Sequence, residues 1–407
     1  MNEEIFTPAQ SAEIAAYHFP HYLWDAVGHV VNIGVFMVIL FWLLGPMYRL
    51  AERSAAALDA RFGGFLRRAP VTRVAFSALD RLWGERGWGA AVLFTIYDYL
   101  LVAIIFLPLE TYFGYFLEHR FGLSRYTPVT YAIDHIKVTV TALVPMVALA
   151  FGLFGLARRL KLWWLVLGVA TAGVLLGSAM LDPYRAQVYF KQRPLEAGVL
   201  REKITALMTR AGVDFRDVLV EENSVATVKV QAYFAGQGPT RTIVLNDSLL
   251  AVMTDGEVLG AVAHEAAHTR EPRWLGRIGS ALALMAFLFA VDRVLRVAAS
   301  RHWLGTTRFA DIRTLPLMTL LFYLASGAAK PVSAAFSRER ERQADLYALR
   351  LTQDPATFRG MLVKVARNNK IDPSPPRWVV VLGLSHPPIS DRIAAVDRGD
   401  WKEAGDR

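Results

Sequence analysis

Up to residue 181 the chain is a succession of long apolar runs separated by short, arginine-bearing connections, and there the pattern changes. Runs 30–46, 90–109, 138–157 and 162–181 approach or reach the roughly 20 apolar residues that cross a bilayer as a helix. Two less pure runs follow, 278–299 and 315–329, so the pattern predicts six spans. Between the two groups, residues 182–277 are mostly polar. A helical pattern in "EAGVLREKITALMTRAG" precedes three β-rich runs, "DVLVEE", "VKVQAYFAG" and "RTIVLN", parted by Gly, Pro and Asn. Next comes a helix start: Thr254 with Glu257 three residues on forms a capping box, and Pro272 is the expected stop. A polar helical tail containing "SRERERQADLYALRL" closes the chain. The predicted organisation is a membrane region over 1–181, a soluble block over 182–277, two spans over 278–330 and a second soluble block over 331–407. The two soluble blocks are expected to join as one small α+β domain.

Composition sharpens this. Hydrophobic residues make up 54% of 407 positions and the mean hydropathy is +0.30, too apolar for one soluble domain. The acidic N-terminus (Glu3, Glu4) and the late first apolar run do not resemble a cleaved leader. A net charge of +9 raises nucleic acid as a partner, but the arginines cluster in connections between spans, as the positive-inside rule expects. No basic helix with interleaved aromatics supports nucleic-acid binding. The expected surroundings are a lipid bilayer, the inner membrane for a bacterial source. There are no cysteines, so disulfides are excluded and any metal must be held by nitrogen and oxygen.

The chemistry is carried by "AVAHEAAHTR", residues 261–270. Positions i and i+4 share a helix face, so His264 and His268 can offer two imidazoles to one zinc ion. Glu265 then lies where it can take a proton from a zinc-activated water as that water attacks a carbonyl. The bland alternative, two solvated histidines, fits poorly with Val262, Ala263, Ala266 and Ala267, which indicate a buried helix. Catalytic zinc needs a third protein ligand and an open position. The best candidate is Glu341, with Asp345 four residues on to orient a ligating histidine. Glu339 competes, but its i+4 partner is Gln343, which reads as a solvated charge. His18, His21, His29, His119, His135 and His302 lack ligand spacing and read as structural or interfacial. Asp98 and the pair Asp292–Arg293 fall inside spans, where charges face either a water-filled interior or a partner.

Several ordered blocks, "LPLETYFGYFLEHRFGLS", "QAYFAG", "RTIVLNDSLL", "AVAHEAAH", "SRERERQADLYAL" and "SHPPISDRI", resemble the integral-membrane zinc metallopeptidases related to the type I CAAX prenyl protease. The bacterial heat-shock membrane protease is similar at more distance. The resemblance implies a mainly α, polytopic helical bundle with a small zincin-like α+β metallopeptidase domain. It implies one Zn2+ held by His264, His268 and Glu341, with Glu265 as general base and Asp345 behind the ligands. It places His386 and Arg392 at the active site, for the oxyanion or the substrate. It makes "QAYFAG" an edge strand on which Gln231, Ala232 and Tyr233 hold an extended peptide through main-chain hydrogen bonds. Two departures stand out: Gln231 occupies a position usually held by Asn, and the residues after Glu265 lack the usual bulky side chain.

The implied activity is membrane-embedded zinc endopeptidase, acting on CAAX-type chains or misfolded membrane proteins. A non-catalytic zinc-stabilised chaperone or scaffold is the alternative, and the presence of Glu265 counts against it. A transporter would carry an internal repeat, and none is found. On orientation two arguments conflict. The arginine-rich connections place residues 49–86 inside and the metal site outside, whereas the resemblance places the site towards the cytoplasm.

Overall fold

The computed structural model describes residues 5–63, 70–83, 87–178, 184, 190–271, 273–306 and 308–403. Helix α1 (Pro8–Gly63) opens on a capping box between Thr7 and Gln10 and passes through two π turns, Ile39–Leu43 and Asp59–Gly63. Short α2 (Pro70–Trp83) follows, then α3 (Gly87–Arg120), α4 (Pro128–Arg159) and α5 (Trp163–Ser178). Within the soluble block, α6 (Val199–Ala211) and the motif helix α7 (Asp255–Arg270) lead to α8 (Arg273–Ser300), α9 (Leu315–Thr352), α10 (Pro355–Asn368) and α11 (Ile389–Arg398).

Among the described residues five helices are long and apolar enough to cross a membrane: α1, α3, α4, α8 and α9. The run 162–181 becomes α5, whose apolar stretch is only Trp163–Val174, and residues 179–181 lie outside the described ones. Pro272 also lies outside them; α7 ends at Arg270.

Four strands form one sheet in the order β1-β2-β4-β3: β1 (Gln192–Pro194), β2 (Val218–Glu221), β3 (Ala232–Ala235) and β4 (Thr242–Asn246). β2 and β4 run parallel, and β1 and β3 flank them antiparallel. The last three strands fall in the three expected runs. β1 was not legible, because "QRP" is short and polar and pairs only through its backbone. Every residue of β4 is buried, as a central strand covered on both faces requires.

Two apolar clusters hold the ends of the molecule. One joins Ile243 and Leu245 of the sheet to Leu207 of α6, Val262 of α7, Leu349 of α9 and Phe358 of α10. The other gathers Met47, Phe94, Phe154, Trp163, Val291 and Leu315, from six helices, at the far end of the bundle. Two boundaries read from the sequence do not survive as breaks. Position 330/331 falls inside α9, which runs through Pro331 without stopping. Ile5, Phe6 and Ile14, assigned to the membrane region, lie in the core of the soluble domain.

Candidate active site

α7 begins where the sequence specifies it. Thr254 Oγ1 accepts from Glu257 N at 3.4 Å, and Glu257 Oε2 accepts from Thr254 N at 2.7 Å. Lys364 Nζ of α10 adds a 2.6 Å bond to the same carboxylate oxygen. Burial raises the Glu257 pKa, but Lys364 and Thr254 outweigh it and hold the carboxyl below its ordinary value. Val262, Ala263 and Ala266 are fully buried, and this inward face carries His264 with it. Gly256 lets α10 approach: a Cβ there would meet Thr357 Cγ2 at 3.0 Å.

α9 packs across α7 and brings Glu341 to the two histidines. His264 Nε2 lies 3.1 Å from Glu341 Oε2, and His268 Nε2 lies 3.4 Å from Glu341 Oε1. The three ligand atoms all fall within 4.8 Å of one another, and no other such trio occurs among the described residues. A zinc tetrahedron with bonds of about 2.0 Å has edges of about 3.3 Å. The spacing and the N, N, O donor set therefore fit that ion.

The outer nitrogens of both histidines face carboxylates. His264 Nδ1 is 2.9 Å from Asp345 Oδ1, close enough for an ion pair though not aligned as a hydrogen bond. His268 Nδ1 bonds Glu271 Oε1 at 2.6 Å, and Arg340 clamps Glu271 Oε2 at 2.6 Å. Such carboxylates fix the ring so that Nε2 points at the metal. Burial opposes charge on His264, but Asp345 and Glu341 outweigh it and lift its pKa to about 9. The spot is electrostatically arranged for a cation. Glu271 was missed in the sequence. Its only signal is its place three residues after His268, within one helical turn.

Arg392 of α11 reaches the site from behind the ligands. Its Nε and Nη2 grip Asp345 at 2.7 and 2.6 Å. It also lines the site cavity, where it feels the charge of Glu265. His386 approaches from the turn before α11, with Nε2 at 3.5 Å from Glu341 Oε2 and its side chain 58% exposed. Glu339 is exposed and pairs with Arg342 and Gln343, outside the site.

A cavity of about 770 Å³ runs over these groups. Its walls include Glu265, His386, Gln231, Ala232 and Tyr233, together with His18 and His21 of α1. β3 is an edge strand, with β4 on one side only, as the "QAYFAG" reading expected. Gln231 N bonds the Asn246 side chain at 3.0 Å, which sets where the strand begins, and the Gln231 side chain is exposed. The Tyr233 hydroxyl donates to Glu221 Oε2 at 2.8 Å. Of the unassigned histidines, His18 bonds Lys370 O and His21 bonds Tyr17 O, both at the cavity wall.

Comparison with known proteins agrees with this geometry. Residues 194–399 match the model of peptidase family M48, and residues 2–191 match that of the CAAX prenyl protease N-terminal region, described as five membrane helices. The chain is 28% identical over 305 residues to the uncharacterized metalloprotease YhfN of Bacillus subtilis, covering 74% of this chain and 71% of that protein. It is 25% identical over 324 residues to CAAX prenyl protease 1 of Saccharomyces cerevisiae, covering 73% and 70%. The crystal structure of S. mikatae Ste24p shares the fold, with a TM-score of 0.65, 19% identity, and 96% and 99% of the two chains covered.

Proposed function

This chain belongs to peptidase family M48, a multi-pass membrane metalloprotease, and we propose that it is a zinc endopeptidase whose chemistry is carried by Glu265 and the His264–His268–Glu341 trio. The observation that carries this reading is the meeting of three ligand atoms, from two helices 77 residues apart, over a cavity that Glu265 also lines. Bound there, zinc supplies Lewis-acid chemistry, making a water nucleophilic near neutral pH and polarising the scissile carbonyl. Glu265 takes the proton of the attacking water on its carboxylate and returns it to the leaving amine. Asp345 and Glu271 hold the two imidazoles in place, each steadied by an arginine, Arg392 and Arg340. His386, at the mouth of the site, donates to the developing oxyanion.

Substrate binding follows from the sheet. The open edge of β3 offers main-chain donors and acceptors to an extended segment, so recognition rests on backbone shape with little dependence on sequence. Ala232 turns its main chain to that open edge, while Gln231 and Tyr233 flank it with main chains that face β4. Tyr233 holds the strand in register, with its main chain towards Val244 and its hydroxyl tied to Glu221.

The test is metal content and cleavage of an unstructured peptide by the purified protein, wild type against Glu265→Gln. Both should hold about one zinc, and the variant should cleave about 10²–10⁴-fold more slowly. Equal cleavage by both would remove Glu265 as the base. Loss of zinc with the variant would move Glu265 among the ligands.

A further inference from the structure

The N-terminus fixes the parity of the membrane crossings. Ile5 and Phe6 lie in the core of the peptidase domain, and Arg367 Nε donates to Ile5 O at 2.8 Å. Helix α1 therefore starts on the side of the cleft and runs past Met47 and Ala51 into the far-end cluster. The chain returns through α3, whose Glu118 pairs with Lys229 of the domain at 2.8 Å. It leaves through α4, with Phe154 at the far end, and turns back through α5, which starts there at Trp163. It leaves again through α8 directly after the motif helix, and α9 brings it back with Glu341. Six helices alternate in direction, counting short α5, and Ile5 and Trp401 both belong to the cleft end.

That connectivity sorts the short connections into two sets of very different charge. The described residues of the far-end connections, 59–63, 70–83, 158–162, 300–306 and 308–314, carry nine lysines and arginines against three acidic residues. At the cleft end, residues 5–7 and 121–127 carry one, Arg125. The remaining described segments at that end, 190–271 and 331–403, exceed the length of about 60 residues over which loop charge directs orientation. The far-end connections are also tied into one face. Arg158 donates to Ala310 O and to Trp83 O, each at 3.1 Å, and lies 4.2 Å over the Trp83 ring. Arg159 donates to Arg81 O. Arg61, Arg81, Lys161, Arg301 and Arg308 remain exposed around it.

We propose that this basic face lies against the anionic headgroups of the cytoplasmic leaflet and that the peptidase cleft opens on the opposite, extracytoplasmic side. Lysine and arginine in short loops are retained on the cytoplasmic side, and an anionic leaflet attracts them further. The first helix points the same way: residues 8–48 hold no lysine or arginine, and Arg49, Arg53 and Arg61 lie within its far end. This orientation is the reverse of the one implied by the family resemblance. Granted the peptidase reading, it also narrows the substrates to polypeptide outside the cytoplasm: translocated chains and the extracytoplasmic loops of membrane proteins.

The absence of cysteine makes the test clean, because one introduced thiol is the only one in the chain. Full-length variants Ala197→Cys and Thr205→Cys mark the cleft end, and Ala57→Cys and Ser300→Cys mark the far end. All four positions are exposed. A membrane-impermeant maleimide is applied to bacterial spheroplasts, before and after permeabilisation, with labelling in denaturant as the total. The cleft-end pair should label in intact spheroplasts and the far-end pair only after permeabilisation. The opposite pattern overturns the proposal, and so does equal labelling of both ends before permeabilisation. Either result leaves the zinc-peptidase reading standing, since labelling reads orientation and not cleavage.

Discussion

Two buried aspartates at opposite ends of the molecule are held in nearly the same way. Asp345, behind the metal trio, takes Nε and Nη2 of Arg392 at 2.7 and 2.6 Å, and a ring nitrogen of His264 at 2.9 Å. Asp292, at the far end of the bundle, takes Nε and Nη2 of Arg296 at 2.8 and 3.0 Å, a second arginine, Arg293, and the ring nitrogen of Trp163 at 2.7 Å. The difference is in the ring. Indole has a single nitrogen, so the network around Asp292 ends at Trp163 and locks α5 to α8. Imidazole has a second one, and His264 Nε2 carries the network on to Glu341 and the cavity. A clamped carboxylate is therefore structural or functional according to what its partner does with its other side. Asp292 resolves as an ion-paired hub rather than a charge facing water. Asp98 stays distinct, buried with no hydrogen-bond partner for Oδ1 among the described residues.

Removing the ring nitrogen at each end gives the largest contrast. His264→Phe should abolish both retained zinc and cleavage, read by elemental analysis and peptide assay. The matching Trp163→Phe should leave zinc content and activity in place and cost about 1.5–3 kcal/mol, the usual range for a hydrogen bond to a charged group. That loss would show as a lower Tm in detergent. Should Trp163→Phe release the metal, the two ends are coupled and the contrast drawn here fails.

A smaller effect is expected behind the ligands. Asp345→Asn should weaken zinc about 10–100-fold in chelator competition, and Glu271→Gln should fall at the lower end of that range. Unchanged zinc affinity in Glu271→Gln would reduce it to a tie between α7 and α9.

The smallest effect concerns the start of α7. The Glu257 carboxyl is held below its ordinary value in the fold, so its contribution is present above the unfolded pKa near 4.3 and is lost as pH falls through the folded value. Glu257→Gln should therefore lower stability by about 1 kcal/mol at neutral pH, as for a typical lost hydrogen bond. The gap should close under acid, as the wild-type carboxyl also protonates. A gap that widens on acidification would mean that Lys364 is not its main partner.

Much of this was legible because it is local. A capping box needs residues three apart, so Thr254 and Glu257 announced α7; the i, i+4 rule placed His264 above His268. Three strands showed as β-rich runs between turn residues. β1 did not, because a three-residue strand is stabilised by its neighbour, β2, and not by its own composition. The sixth expected span, 162–181, is described as helix from Trp163 to Ser178, with Trp163–Val174 as its apolar stretch.

The sequence by itself determined which residue types carry the chemistry and that the chain crosses a bilayer several times, since both are written in spacing and hydropathy. Tertiary structure decided the rest, because those facts depend on approaches between distant segments. It set Glu341 3.1 Å from a histidine 77 residues earlier in the chain. It turned Arg392 onto Asp345, added Glu271 behind His268, and drew the first residues of α1 into the peptidase core. A helix face can be read from one segment; which face meets it, at what distance, is fixed only when all the segments are buried together.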